Sequence, residues 1–333
     1  MILSPPILAL LFCSTVVCGL TIAALGVGLL AVAGWNHHSS SRQQLIRERR
    51  WFLVETSLRL IFALQLLSVL VFVATADHLK TLFTGAMCAV GSLNASPFGA
   101  PALAVKTAAF VLCGLWLVTD RAAMAAASNG LVRFKVTFLA FLAVLLVADG
   151  ALQLRFFTDL SPDIITSCCA TFFDAKVGGV GADLANLPVG WSRATFFGGL
   201  FVTNSVGLWA IGRRRSTVVY SILAVMLGVI TTAAVITWIA PAYYELPTHH
   251  CPLCLLAAEN GYVGYPLYLF LATAIIAGAG SGLVRALRRL DVHGCIRLNE
   301  ECRLCALSMA SFAAVAAIAL WPIATSGFRL EGY

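Results

Sequence analysis

Residues Thr248 to Tyr268 read THHCPLCLLAAENGYVGYPLY, with two histidines and two cysteines inside the six residues His249–Cys254. Two thiols at C-x-x-C spacing can exchange with a disulfide, and thiolates beside imidazoles can hold a soft metal. Pro252 suits the first position of a helix, because its φ is fixed and its missing N–H is not needed there. That spacing predicts Cys251 as the N-cap and Cys254 as the third helical residue. A thiolate at an N-cap faces open N–H groups and the positive end of the helix dipole, which makes Cys251 the attacking sulfur and Cys254 the resolving one. The helix is expected to end at Asn260–Gly261, and Pro266 to open the next long apolar segment, with Tyr262, Tyr265 and Tyr268 as an interfacial belt. The same residues allow copper or zinc ligation by His249 or His250 with Cys251 and Cys254, and a structural disulfide is the third reading.

Other sulfurs could join them. Cys88 and the neighbours Cys168 and Cys169 lie in loops elsewhere in the chain. A disulfide between adjacent residues needs a strained ring, so Cys168 and Cys169 are expected to pair elsewhere or share a metal. With Cys251 and Cys254 these make five, an odd number, and Cys88 is the candidate to remain a thiol or be held by a ligand. A second constellation, His293, Cys295, Cys302 and Cys305, has the pattern H-x-C-x6-C-x2-C, which could close a zinc site or consist of reduced thiols. Cys13, Cys18 and Cys113 read as small packing residues.

The elements that position these groups follow from composition. The 333 residues are 60% hydrophobic and 11% charged, with a mean hydropathy of +0.91, which excludes an ordinary soluble domain. Eight windows are long enough to cross a bilayer as helix, starting at Ile7, Trp51, Pro101, Val136, Ala194, Val218, Pro266 and Ala306. The expected fold is an all-α polytopic transmembrane helix bundle, one integral membrane domain over residues 1–333. The last span is closed early by Trp321–Pro322, and the first is read as a retained span, because no basic segment precedes it.

Charge orients the chain. Segments after the first, third, fifth and seventh spans hold fifteen Lys and Arg, including Arg47, Arg133, Arg214 and Arg289, against five on the other face. By the positive-inside rule both termini and the Cys-containing loops 77–100, 155–193 and 241–265 are extracytoplasmic, and the basic Cys/His loop 285–305 is cytoplasmic. The net charge of +7 is thus topological, and no nucleic-acid patch is read in it. A bacterial inner membrane is the expected location. Within the spans, Glu55 and Arg59 are four residues apart and could pair, as could Lys106 and Asp149, the alternative being that Asp149 faces a polar cavity on a proton or ion route. No Walker loop, dinucleotide glycine motif or C-x-x-C-H haem motif is present.

At Cys251-Pro252-Leu253-Cys254 the chain resembles the DsbB and vitamin K epoxide reductase class of membrane thiol oxidoreductases. That resemblance implies a C-x-x-C at the outer end of a membrane helix beside a quinone, with loop cysteines passing electrons from a partner thiol. In this sequence the loop part would fall to Cys168, Cys169 or Cys88. Three functions are therefore expected: thiol–disulfide or electron-transfer chemistry; soft-metal binding or transport; or a structural or assembly role in a membrane complex. The corresponding partners are the lipid bilayer with an extracytoplasmic thiol protein, a metal-carrying protein or other membrane subunits.

Overall fold

The computed structural model describes residues 4–33, 41–124, 129–161, 166, 180–213, 217–290, 298–327 and 330. Among these the secondary structure is helical, without a β-strand, and eight helices are long and apolar enough to span a membrane. Helix is the expected outcome for such segments, since a backbone in hydrocarbon must satisfy its own N–H and C=O groups. The chain forms two compact units.

The first unit comprises Met1–His78, Leu93–Ile164 and Leu283–Arg297. Its spans are α1 (Pro5–Ala33), α2 (Arg42–Leu79), α4 (Gly99–Ala123) and α5 (Asn129–Asp159); the short α3 (Ala89–Asn94) precedes α4, its first four residues belonging to the second unit. Val17, Leu58, Phe62, Trp116, Leu139 and Leu142 fill its centre, with Phe62 edge-on to Trp116 at 5.0 Å. Cys113 is fully buried there, and the Cys18 thiol donates to the Leu146 carbonyl at 3.2 Å, so both are packing residues as expected.

Two charged rungs cross this unit. Lys106 and Asp120 are fourteen residues apart on α4, and Lys135 and Asp149 fourteen apart on α5. Fourteen residues are close to four turns, so each pair lies on one helix face about 21 Å apart. Antiparallel packing then matches opposite charges at both levels. Lys106 Nζ meets Asp149 Oδ2 at 2.9 Å, and Lys135 Nζ meets Asp120 Oδ1 at 2.8 Å. The first rung pairs Lys106 and Asp149 as the sequence suggested. Glu55 and Arg59 reach to neighbouring helices: Lys135 donates to Glu55 at 2.9 Å and Arg59 to Asp120 at 2.5 Å. Gln65 and Ser68 complete the Lys106–Asp149 rung at 2.9 and 3.2 Å.

The second unit comprises Leu79–Ser92, Ile165–Gly282 and Leu298–Tyr333. It contains α6 (Val180–Ala185), α7 (Val189–Gly212), α8 (Val218–Ala234), a π-helical stretch Val235–Ile239, α9 (Ala240–Tyr244), most of α10 (Gly264–Arg288) and α11 (Leu298–Thr325). Phe196, Tyr220, Trp238, Leu267 and Phe312 form its core. Two prolines interrupt helical hydrogen bonding here, and a side chain repairs each gap. Pro322 stands inside α11, which continues to Thr325 instead of stopping at Trp321–Pro322. The Ile318 carbonyl, four residues before that proline, accepts from the Tyr243 hydroxyl at 2.7 Å. In the π register the Ala240 N–H serves the Val235 carbonyl, and the next donor in that pattern would be Pro241, which has no N–H. The Ile236 carbonyl is taken instead by His250 Nδ1 at 2.9 Å.

Candidate functional site

Three sulfurs converge in the second unit. Cys88, Cys251 and Cys254 have their Sγ atoms within 4.8 Å of one another, and Cys88 and Cys251 are 3.6 Å apart. Cys251 is fully buried, Cys88 is 3% exposed and Cys254 is partly exposed, with Val90 and Leu253 packed around them. None of the described cysteines is in a disulfide.

Local structure explains how residues 163 apart in sequence meet. Cys88 immediately precedes α3, and its carbonyl accepts the Ser92 N–H. The segment leading to it is tied at Thr84, whose carbonyl accepts the Thr166 N–H at 3.0 Å. Gly85 makes that approach possible: it has φ +92°, and a Cβ there would lie 2.2 Å from the Thr166 carbonyl oxygen. The Cys251–Cys254 loop is pinned from three sides. Tyr244 Oη donates to the Cys251 carbonyl at 2.6 Å, Tyr268 Oη to the Pro252 carbonyl at 2.5 Å, and Asn260 Nδ2 to the Cys254 carbonyl at 2.9 Å. Gly264 lets the start of α10 press against this loop, since a Cβ there would sit 2.8 Å from the Leu255 carbonyl carbon.

The expected helix at the C-P-L-C segment is corrected. Pro252 itself is the cap, and the helix after it is a four-residue 3-10 turn, Leu253–Leu256. Ala257 is extended, at ψ 151°, and breaks it from a second 3-10 turn, Ala258–Asn260, which ends on Gly261 with φ +64°. So short a turn has little aligned dipole to offer a thiolate. Cys251, one residue outside it, is set apart by burial rather than by a cap.

The histidines do not enter the three-sulfur cluster, whose members among the described residues are all cysteines. A carbonyl can only accept, so His250 Nδ1 carries the hydrogen shared with Ile236. His249 stacks edge-on to Tyr244, ring centroids 4.9 Å apart. Cys168, Cys169, His293 and Cys295 lie outside the described residues. Cys302 and Cys305 sit on α11, Cys302 half-buried and Cys305 fully buried with its thiol 3.9 Å from the Gly207 carbonyl.

Sequence reasoning missed the loop clamps. Tyr262 and Tyr265 are exposed, in keeping with a belt, but Tyr268 turns inward to the loop. Spacing gave no warning of this, because Tyr265 and Tyr268 are three residues apart and would share a helix face, and Tyr262 lies before the helix begins at Gly264. Comparison of the chain with protein-family models, curated proteins and solved structures finds no match to any of them.

Proposed function

We propose that this multi-pass membrane protein carries out thiol–disulfide exchange at Cys88, Cys251 and Cys254, with an extracytoplasmic partner protein as the source or recipient of the disulfide. The observation that carries the reading is the 3.6 Å contact between Cys88 and Cys251 beside a C-x-x-C pair. All three sulfurs are within 4.8 Å of one another, so a disulfide can move among them, and the enclosed Cys251 already touches Cys88 at 3.6 Å.

The chemistry balances with the partner alone. The partly exposed Cys254 thiolate attacks a partner disulfide, forms a mixed disulfide and releases one partner thiolate. Cys251 attacks the Cys254 sulfur, forms Cys251–Cys254 and releases the second partner thiolate. Cys88 then attacks Cys251, giving Cys88–Cys251 and returning Cys254 as a thiolate. The partner gains two electrons, and the three-thiol set loses two. Run in reverse, the same steps oxidise a partner dithiol. These roles reverse the order expected from the N-cap reading, and burial supports the reversal, since Cys254 is the accessible member and Cys251 the enclosed one. The excess of Lys and Arg after odd-numbered spans supports an extracytoplasmic position for the site.

Equilibration of the purified protein in glutathione buffers, followed by alkylation and peptide mass mapping, tests the proposal. Both Cys251–Cys254 and Cys88–Cys251 disulfides are expected, with Cys254→Ser confining the bridge to Cys88–Cys251. If all three thiols stay alkylatable in the oxidising buffer, the exchange function is excluded.

A further inference from the structure

We propose that the reduced three-cysteine set is also a binding site for a soft monovalent metal ion, Cu(I), in three-coordinate thiolate geometry. The inference takes the reduced state of the exchange reading but does not need the exchange itself. Its ligands are Cys88, Cys251 and Cys254, without the histidines that the sequence offered.

Geometry comes first. Three sulfurs at a metal–thiolate distance of about 2.3 Å around a trigonal ion lie about 4.0 Å from one another. The Sγ atoms here start at 3.6 Å for Cys88 and Cys251, and none is more than 4.8 Å from another. Changes of less than about 1 Å, within the range of a χ1 adjustment, make the set regular.

Ligand chemistry selects the ion. Three soft sulfurs without an oxygen or nitrogen member, among the described residues, fit Cu(I) better than Zn(II), which takes four ligands in structural sites. The apolar neighbours Val90 and Leu253 supply no fourth donor. His250 has one ring nitrogen committed to the Ile236 carbonyl. The loop is already held by Tyr244, Tyr268 and Asn260, so two of the three sulfurs are presented by backbone fixed before any ion arrives. Binding releases up to one proton per thiol and changes no oxidation state when copper is supplied as Cu(I).

Metal capture and disulfide formation would then be exclusive uses of one set of atoms: an ion on the thiolates blocks attack on a disulfide, and a disulfide removes two ligands at once.

The test is anaerobic titration of the reduced, detergent-solubilised full chain with Cu(I) against a chromophoric Cu(I) chelator, with X-ray absorption on the loaded protein. One equivalent per chain is expected, with three sulfur neighbours at about 2.3 Å. Cys88→Ser, Cys251→Ser and Cys254→Ser should each weaken binding by about a hundredfold or more. A Cys168→Ser/Cys169→Ser double variant should bind as the parent does. The proposal is overturned if Cu(I) binding survives Cys251→Ser, if it requires Cys168 or Cys169, or if Zn(II) binds as tightly under the same conditions. Failure here with disulfides still forming in glutathione buffer removes the metal site alone. Stoichiometric Cu(I) binding by thiols that never oxidise removes the exchange function alone.

Discussion

Cys251 and Cys254 differ in what covers them, and the difference is measurable. Cys251 is fully buried and Cys254 is partly exposed, so alkylation of Cys251 must wait for a local opening. In the reduced protein, N-ethylmaleimide is expected to modify Cys254 at least about tenfold faster than Cys251, an opening free energy of about 1.4 kcal/mol or more. Equal rates, followed by mass spectrometry, would contradict the enclosed position of Cys251. Tyr268→Phe tests the clamp. It leaves the Pro252 carbonyl without its 2.5 Å donor, at a cost of about 1–3 kcal/mol, and should speed alkylation of Cys251 while leaving that of Cys254 nearly unchanged. The C-x-x-C pair was legible in the sequence because spacing alone defines it. Its contact with Cys88 was not, since a hydrophobic packing arrangement joins residues 163 apart and no local pattern encodes that distance. The N-cap assignment failed for a different reason: Pro252 permits several turn types, and Ala257 in an extended conformation ends the helical run early.

At the level of helices, the two rungs between α4 and α5 set register. Sliding one helix by a residue would pull both pairs out of line, and Lys106 and Asp149, unlike Lys135 and Asp120, have no second charged partner among the described residues to fall back on. Lys106→Met leaves Asp149 buried with only the Gln65 amide on its Oδ2, and should lower unfolding stability by about 3–5 kcal/mol. The double variant Lys106→Met/Asp149→Leu removes both charges and should recover most of that loss, as read from thermal melts in detergent. If the double variant melts as low as the single one, the rung contributes specific hydrogen bonding rather than charge compensation. Packing in the second unit depends on small residues in α10. A Cβ on Gly278 would come within 2.5 Å of the Ala224 Cβ and 2.9 Å of the Ser308 hydroxyl. Gly278→Leu should therefore destabilise by more than the roughly 1–3 kcal/mol of ordinary overpacking, because backbone helices rather than flexible tips must part. The charged residues of the rungs were visible in the sequence as polar positions within apolar spans. Which helix each would face was not, since an i,i+4 spacing such as Glu55–Arg59 offers a local partner as readily as a distant one.

For the molecule as a whole, the eight spans were legible because hydrocarbon imposes one solution on a long apolar segment. Boundaries moved outward by as much as about two turns where helices extend past the apolar window, as at Leu298, where α11 begins eight residues before Ala306. Sidedness has a direct check. The connections holding Cys88 and Cys251 each follow an even-numbered span, and the 3.6 Å sulfur contact agrees with one shared face. A membrane-impermeant maleimide applied to intact cells should label Cys254, and labelling only after the membrane is opened would reverse the proposed orientation. The π-helical stretch Val235–Ile239 carries one further consequence, for insertions and deletions rather than substitutions. Such a stretch holds one residue more than the α-helical path it replaces, and each residue is about 100° of rotation. Recoiling it as α-helix at unchanged length would turn Tyr243 and Tyr244 through that angle, away from Ile318 and Cys251, whereas deleting one residue would restore a continuous helix with both hydroxyls still in phase. The segment works as a phase adjuster between membrane helix and thiol loop, in which the coiling of the turn and the number of its residues can change only together.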